Sequence, residues 1–176
     1  MSHPTVLDTA WTMTRHQKEV TQAFEDARED VYFYLLTLGL SPPQAQEAAQ
    51  EVFLRLYMAL EKGDRIENMR AWVFRVAHNL GLDMRGKSQP LRITPGLEAA
   101  LRDTARGAEA DLIERERMEQ LSSAWNTLSP QQRQCLHLRA EGLRYREIAE
   151  AMGITISSVR EFLSRAILRL QRAVHE

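Results

Sequence analysis

This chain has almost no cysteine and no cluster of metal-binding residue types. The single cysteine, Cys135, cannot form an internal disulfide, and its apolar helical stretch with Leu136 and Leu138 suits a buried thiol better than a nucleophile. The histidines are scattered, at His3, His16, His78, His137 and His175. Because no spacing suits a zinc site, we expect no metal and no cofactor, and a reducing cytoplasm is the simplest location.

Long apolar runs, phosphate-binding loops and catalytic motifs are missing as well. No segment approaches the roughly 20 apolar residues that span a bilayer, and the first residues, MSHPTVLDTAWTMTRHQ, contain neither a basic leader nor an apolar run. The sequence also contains no glycine-rich phosphate loop and no nucleophile in a recognisable motif. We therefore expect neither export, nor membrane insertion, nor enzyme activity.

An excess of basic charge is also absent, although proteins that bind nucleic acid usually carry one. The formal net charge is −1. From Leu128 onward, however, eight arginines stand against five glutamates, a balance of +3, whereas residues up to Thr127 hold fifteen Lys and Arg against nineteen Asp and Glu, a balance of −4. The basic charge is therefore concentrated in the C-terminal part.

Apolar residues at three- and four-residue steps predict helices in the first half, after a loose tail over residues 1–17. Three helices are expected there: from about Lys18 to Gly39, from Ser41 to about Glu61, and from about Asn68 to Arg85. Tyr32, Phe33 and Tyr34 are consecutive, so at least one is expected to be exposed or held by a partner. Trp72 lies among basic groups, which fits either base stacking or simple core packing.

Residues 87–107 contain several prolines and glycines and predict a linker, which divides the chain into helical units at 18–86 and 108–176. A fourth helix is expected from about Ala108 to Asn126, and Leu128-Ser129-Pro130 predicts the start of another, over Gln131 to Ala140. The predicted fold class is all-α, with two small helical domains joined by a flexible linker.

The stretch from Arg144 to Arg172 has the pattern of a helix-turn-helix. Gly153 can adopt the positive φ that ends the first helix, and Thr155 can cap the second. Apolar residues then recur at helical spacing on one face of that second helix, at Val159, Leu163, Ala166 and Leu170. The opposite, basic face fits a DNA major groove, although an ordinary helical hairpin with a solvated face has the same pattern.

Three segments in the correct order resemble the bacterial sigma factors of the extracytoplasmic-function group. QAQEAAQEVFLRLY resembles the polymerase-binding stretch of conserved region 2, and RAWVFRVAHNLGLDMRGK resembles the promoter-melting helix of that region. LSPQQRQCLHLRAEGLRYREIAEAMGITISSVREFLSRAILRL resembles conserved region 4. The resemblance extends from about Phe24 to Leu170 except for the linker. It implies a promoter-specificity subunit of RNA polymerase, with region 2 and region 4 as its domains.

The resemblance also implies roles for individual residues. Those expected to bind polymerase are Glu47, Gln50, Glu51 and Arg55. Those expected near the opened downstream, minus-ten element are Arg75, His78, Asn79, Asp83 and Arg85, with Trp72 at a packing position. Those expected near the upstream, minus-thirty-five element are Tyr145, Ser157, Ser158, Arg160, Glu161 and Arg165.

Some residues depart from the family pattern. Gln46 and Ala48 replace a usual acid and a larger hydrophobic residue, and Glu161 and Phe162 stand where the family often has Ser-Arg. A glutamate near DNA repels phosphate unless it accepts a hydrogen bond from a cytosine amine. Glu161 therefore reads a base, faces away from DNA or weakens the contact.

We expect a cytoplasmic sigma factor that binds core RNA polymerase and promoter DNA and that is held by an anti-sigma factor in some conditions. The alternative is a stand-alone helix-turn-helix regulator that binds duplex operators. A third hypothesis is an interaction protein whose sigma-like surfaces have decayed, which Glu161 would fit.

Overall fold

The computed structural model describes residues 14–86 and 112–175, and every element in these two ranges is an α-helix. The first range contains α1 (Arg15–Thr37), α2 (Pro42–Glu61) and α3 (Met69–Arg85). The second contains α4 (Leu112–Thr127), α5 (Pro130–Ala140), α6 (Tyr145–Met152) and α7 (Ile156–His175). The predicted all-α fold class is confirmed. The predicted linker and the first residues of the fourth helix lie outside the described residues.

Side-chain caps explain where the helices begin. Helix α1 starts at Arg15, before the expected Lys18, because Thr14 accepts a hydrogen bond from the N–H of Gln17 at 3.2 Å while Gln17 accepts one from the N–H of Thr14 at 2.8 Å. Ser129 and Gln132 form the same reciprocal pair at the start of α5. Ser41 precedes the prolines that open α2, so both serine-proline starts are confirmed.

The first three helices bury a dense core around the C-terminal half of α1. Leu35, Leu38, Leu56 and Phe74 are fully buried there. Gly81 lets α3 pack closely against the end of α1, since a Cβ atom at this position would lie 2.5 Å from the Cδ1 atom of Leu38. Among the three consecutive aromatic residues only Tyr34 is fully buried. Tyr32 and Phe33 are partly buried against the same core.

The helices of the second half pack against those of the first. Buried residues of both halves belong to one continuous hydrophobic cluster, which includes Leu138 and Ile148 from the C-terminal half. Helix α3 lies along α6, and α1 contacts α5. Helix α3, which is expected to approach the downstream promoter element, therefore lies against the helix-turn-helix that is expected to bind the upstream element. Among the described helices, none is long and apolar enough to cross a membrane.

Candidate nucleic-acid and polymerase interfaces

Helices α6 and α7 form the predicted helix-turn-helix. Gly153 ends α6 with a φ of 65°, in the left-handed region that glycine adopts without steric cost. The N–H of Ile154 donates to the carbonyl of Ala149 at 3.0 Å and closes the turn. Thr155 then caps α7, because its Oγ1 atom accepts a hydrogen bond from the N–H of Ser158 at 3.1 Å.

The outward face of α7 carries most of the residues expected at upstream DNA. Ser157, Arg160, Glu161 and Arg165 are exposed, whereas Val159, Leu163 and Ala166 are buried on the opposite side, as their spacing predicted. Ser158 is half-buried, and its amide and hydroxyl both interact with Thr155. One amide of the first turn is therefore already satisfied within the protein.

Glu161 forms an ion pair on this face. Its Oε1 atom lies 2.6 Å from Nη2 of Arg165, one helical turn later, and both side chains are more than half exposed. The pair reduces the positive charge that α7 presents, because one of its arginines is partly neutralised. Phe162 is partly buried against the core, so this departure from the family pattern serves packing.

Tyr145 lies at the start of α6 and is 36% exposed. The guanidinium carbon of Arg139 lies 5.7 Å from the centre of its ring, a cation–π distance. This contact with Arg139 orients the Tyr145 ring from α5.

The residues expected near the downstream element do not share one face of α3. Arg75, Asn79 and Asp83 recur at four-residue steps and are exposed. His78 is only 3% exposed, and its Nδ1 atom lies 2.8 Å from the hydroxyl of Tyr34. Burial, together with the charge of Arg85, lowers the pKa of His78 to about 4. His78 is therefore a neutral core residue in this structure and does not reach the surface that was expected to meet DNA.

The spacing of residues along α3 already indicated that His78 is buried. Phe74, Ala77, His78 and Gly81 follow the i, i+3, i+4, i+7 pattern of an inward stripe, and all four are buried. Arg85 also turns inward, with Nη1 placed 3.4 Å from the carbonyl oxygen of Leu38 at the end of α1. Of the five predicted downstream residues, two thus contact the protein's own first helix.

The outer face of α2 carries the residues expected to bind polymerase. Glu47, Gln50 and Arg55 are exposed, and Glu51 is half-buried with its Oε1 atom 2.7 Å from Nε of Arg55. The same face exposes two large apolar side chains that were not among the predicted polymerase-binding residues, Leu54 at 54% and Met58 at 48%. Their four-residue spacing on the polar side of α2 was the signal that could have identified them.

A cleft of about 280 Å³ separates the start of α3 from α6. Its α3 side includes Asn68, Trp72 and Arg75, and its α6 side includes Glu147 and Glu150. Trp72 is half-buried, in agreement with the packing position that the resemblance implied. The carboxylates of Glu147 and Glu150 thus line the same cleft as Arg75, a cation that is expected to approach DNA.

Comparison with known proteins identifies the family. The family model Sigma-70 region 2 matches residues 23–90, and Sigma-70, region 4 matches residues 118–170. The ECF RNA polymerase sigma factor SigM of Bacillus subtilis is 27% identical over 154 residues, covering 86% of this chain and 93% of SigM. This chain belongs to the extracytoplasmic-function sigma factors. Like the rest of the family, this sigma factor directs transcription initiation together with core RNA polymerase and promoter DNA.

Other relatives agree with this assignment. The ECF RNA polymerase sigma factor BldN of Streptomyces coelicolor is 26% identical over 152 residues, covering 85% of this sigma factor and 58% of BldN. Among solved structures, CnrH in complex with the cytosolic domain of CnrY has a TM-score of 0.60 at 19% identity, over 90% of this chain and 89% of CnrH. RpoE of Bartonella quintana, in complex with the anti-sigma factor NepR, has a TM-score of 0.60 at 20% identity, over 90% and 98%. These structures share the fold.

Sigma factors of this group are in general non-enzymatic. Among residues 14–86 and 112–175, no group of three or more histidine, cysteine or acidic side chains could hold a metal ion. Cys135 is fully buried, and burial raises the pKa of its thiol to about 11, which suits a packing role.

Proposed function

We propose that three helix faces divide the work of this sigma factor: α2 binds core polymerase, α3 approaches the opened downstream element, and α7 binds the upstream element as a duplex. The observation that carries this proposal is a chemical difference between the faces. Helix α2 exposes Leu54 and Met58 next to Glu47 and Gln50, whereas the first turns of α7, the second helix of the helix-turn-helix, expose Ser157 and Arg160. Helix α7 also exposes aliphatic side chains, of which Ile156 opens the helix and Ile167 and Leu168 lie farther along it.

The exposed face of α2 suits a protein partner. Interfaces between proteins bury apolar anchors such as Leu54 and Met58 within a polar rim. Glu47, Gln50 and Arg55 supply such a rim, and the pair between Glu51 and Arg55 keeps these two side chains ordered before binding. Nucleic acid would gain little from two exposed aliphatic groups next to glutamates, which repel phosphate.

The exposed face of α7 suits duplex DNA. In a helix-turn-helix the second helix enters the major groove with its N-terminal residues on the base edges. Ser157 and Arg160 lie in the first turns of α7, where an arginine can bind a phosphate or donate two hydrogen bonds to guanine. We assign Tyr145 and Arg165 to the flanking backbone, and Ser158 mainly to the cap, where its amide and hydroxyl contact Thr155.

Of the residues predicted to lie near the downstream element, Arg75, Asn79 and Asp83 are exposed on α3. We assign Arg75 to the backbone of the opened strand and Asn79 and Asp83 to hydrogen bonds with unstacked bases. Base unstacking costs a few kcal/mol per step, which such contacts offset. His78 is left out of this set because it is buried against Tyr34.

Two further properties are part of the proposal. CnrH and RpoE were solved in complexes with CnrY and the anti-sigma factor NepR. By this likeness, a protein inhibitor of the same kind sequesters the present chain. In the proposed role the chain catalyses no reaction itself, and it acts in the cytoplasm together with core polymerase.

In vitro transcription from a genomic fragment library, with and without core polymerase, tests this function. We expect initiation at discrete promoters only when both proteins are present, and the selected fragments give the promoter sequence. If the purified chain alone protects specific duplex sites and core polymerase adds neither specificity nor initiation, it acts as a stand-alone regulator instead. If it binds polymerase without initiation at any fragment, the DNA-binding assignments fail.

A further inference from the structure

Ile156 is the first residue of α7, and its side chain is 45% exposed. Thr155 fixes this start of the helix, because its Oγ1 atom accepts the hydrogen bond from the N–H of Ser158 at 3.1 Å. Ile154, on the other side of Thr155, is partly buried against the core, and its N–H closes the turn on the carbonyl of Ala149. The turn therefore directs one isoleucine inward and leaves the other exposed at the leading end of α7.

Several polar side chains near Ile156 already make contacts within the protein. The hydroxyl of Ser158 lies 2.9 Å from Oγ1 of Thr155, and Glu161 forms its ion pair with Arg165. Within the first two turns of α7, three exposed side chains lie outside these contacts: Ile156, Ser157 and Arg160. The leading end of the helix thus presents one aliphatic side chain together with a hydroxyl and a guanidinium.

An aliphatic side chain at this position has a specific use in a DNA groove. In a helix-turn-helix, the N-terminal residues of the second helix contact the base edges. Arg160 follows Ile156 by one helical turn, so the two side chains are neighbours on the same face. Base edges in the major groove present hydrogen-bonding groups, and the 5-methyl group of thymine is the apolar group among them.

The chemistry of Ile156 selects thymine among the four bases. Its side chain contains neither a donor nor an acceptor, so it gains from contact with the thymine methyl group. Against the edge of guanine, cytosine or adenine it would cover polar atoms without giving them a partner, which is unfavourable.

We propose that Ile156 determines part of the promoter specificity by packing against the 5-methyl group of a thymine in the upstream element. The inference rests on the proposed function, because it requires α7 to enter the major groove of that element. Ser157 and Arg160 supply hydrogen bonds from the same turns, and Ile156 supplies an apolar contact beside them. Ile156 was not among the residues expected near the upstream element from the sequence.

Replacement of thymine by deoxyuridine tests this contact, since it removes the 5-methyl group and keeps the hydrogen-bonding edge of the base. In promoter fragments recovered by the transcription assay, each thymine of the upstream element is replaced in turn. Binding of the holoenzyme, formed from the full-length chain and core polymerase, is then measured for each fragment. We expect one position at which loss of the methyl group weakens binding about fourfold, as for one aliphatic carbon removed from an apolar contact.

Ile156→Ala should abolish this discrimination, so that the variant holoenzyme binds the thymine and deoxyuridine fragments equally. Ile167→Ala is the matched control, because it makes the same change on the same helix at a side chain that is 43% exposed. Position 167 lies about 16 Å farther along α7, beyond the N-terminal turns that contact base edges. Ile167→Ala should therefore retain the fourfold difference. Alanine is the best helix former, so both variants should keep a melting temperature close to that of the wild type.

Selection from a promoter library with a randomised upstream element is the second readout. With the Ile156→Ala holoenzyme, the preference for thymine should disappear at the position identified with deoxyuridine, while preferences at the other upstream positions remain. The Ile167→Ala holoenzyme should select the same sequence as the wild type.

The contact is ruled out if no thymine of the upstream element responds to deoxyuridine, or if Ile156→Ala discriminates as well as the wild type. A variant that still discriminates but binds core polymerase more weakly would assign Ile156 to a protein contact instead. These results are obtained with an active wild-type holoenzyme, so they leave the proposed function standing. Absence of wild-type transcription from every fragment contradicts the proposed function, and this inference with it.

Discussion

The hydroxyl of Tyr34 and Nδ1 of His78 lie 2.8 Å apart in the core between α1 and α3. Both residues are almost completely buried, and burial raises the pKa of the Tyr34 phenol well above its usual value. The neutral imidazole and the neutral phenol therefore satisfy each other in an apolar environment. This pair places His78 in the core, with its Nδ1 atom engaged by the Tyr34 hydroxyl.

Loss of the Tyr34 hydroxyl should destabilise the fold without changing its shape. Tyr34→Phe keeps the ring against Phe74 and His137 but leaves the Nδ1 atom of His78 without its partner. We expect a decrease of about 1–3 kcal/mol in the free energy of unfolding, the usual cost of an unsatisfied buried group. Chemical denaturation of the full-length chain measures it. Tyr32→Phe, at a partly buried position on the same helix, is the control and should cost less.

Stability should fall as the pH is lowered from 6.5 towards 4. Burial lowers the pKa of His78 to about 4, and it lowers that of His137 to about 4 although Asp30 acts in the opposite direction. The unfolded chain takes up these protons near pH 6.5, so unfolding binds protons within this window. Each shift corresponds to roughly 3 kcal/mol as an upper estimate.

Denaturation curves between pH 7.5 and 5 measure this dependence. His78→Gln should flatten the dependence on pH even if it lowers stability throughout. Equal slopes in wild type and His78→Gln would contradict the burial of a neutral imidazole.

Arg160→Ala and Glu51→Lys should affect different partners. Arg160 is exposed on α7, so its loss should reduce affinity for an upstream-element duplex by about 1–3 kcal/mol if it reads a base. Binding to core polymerase should change little. Charge reversal at Glu51 breaks its pair with Arg55 on α2 and should weaken polymerase binding while DNA binding is retained. Similar losses in both assays for each variant would contradict this division.

The apolar part of the α2 face should contribute most to polymerase affinity. We expect Leu54→Ser/Met58→Ser to weaken binding to core polymerase by about tenfold or more, since buried aliphatic anchors typically contribute over 1 kcal/mol. Both side chains are about half exposed, so the melting temperature should stay close to that of the wild type. Leu82→Ser, a comparable change on α3, is the control and should not alter polymerase affinity.

Replacement of Glu161 distinguishes between its possible roles. Glu161→Gln releases Arg165 from its 2.6 Å ion pair, so affinity for the upstream duplex should rise a few-fold and the slope of log affinity against log salt should steepen by about 1. If Glu161 instead accepts a hydrogen bond from a cytosine amine, the same change lowers affinity and relaxes preference at one base pair. Titrations at several salt concentrations against the selected promoter fragment separate these results.

Local features of the sequence determined the helices and the family. The serine-proline starts of α2 and α5, the positive-φ glycine at 153 and the apolar stripe of α7 act over distances of a few residues, and each lies where its pattern predicted it. The resemblance to region 2 and region 4 rests on the same local patterns, and it is confirmed. The assigned contacts with DNA and polymerase, and the boundaries of the two domains, stay predictions.

Only the tertiary structure decided which side chains of α3 meet other helices. His78 pairs with Tyr34, 44 residues away, and Arg70 holds Glu141, 71 residues away. Helical spacing indicates that a face is buried, but it contains no information about which helix covers that face or which polar partner stands there. Those choices depend on the packing of the whole core. For that reason the sequence predicts two DNA-binding helices, and only the packing of α3 on α6 shows that the chain holds them together.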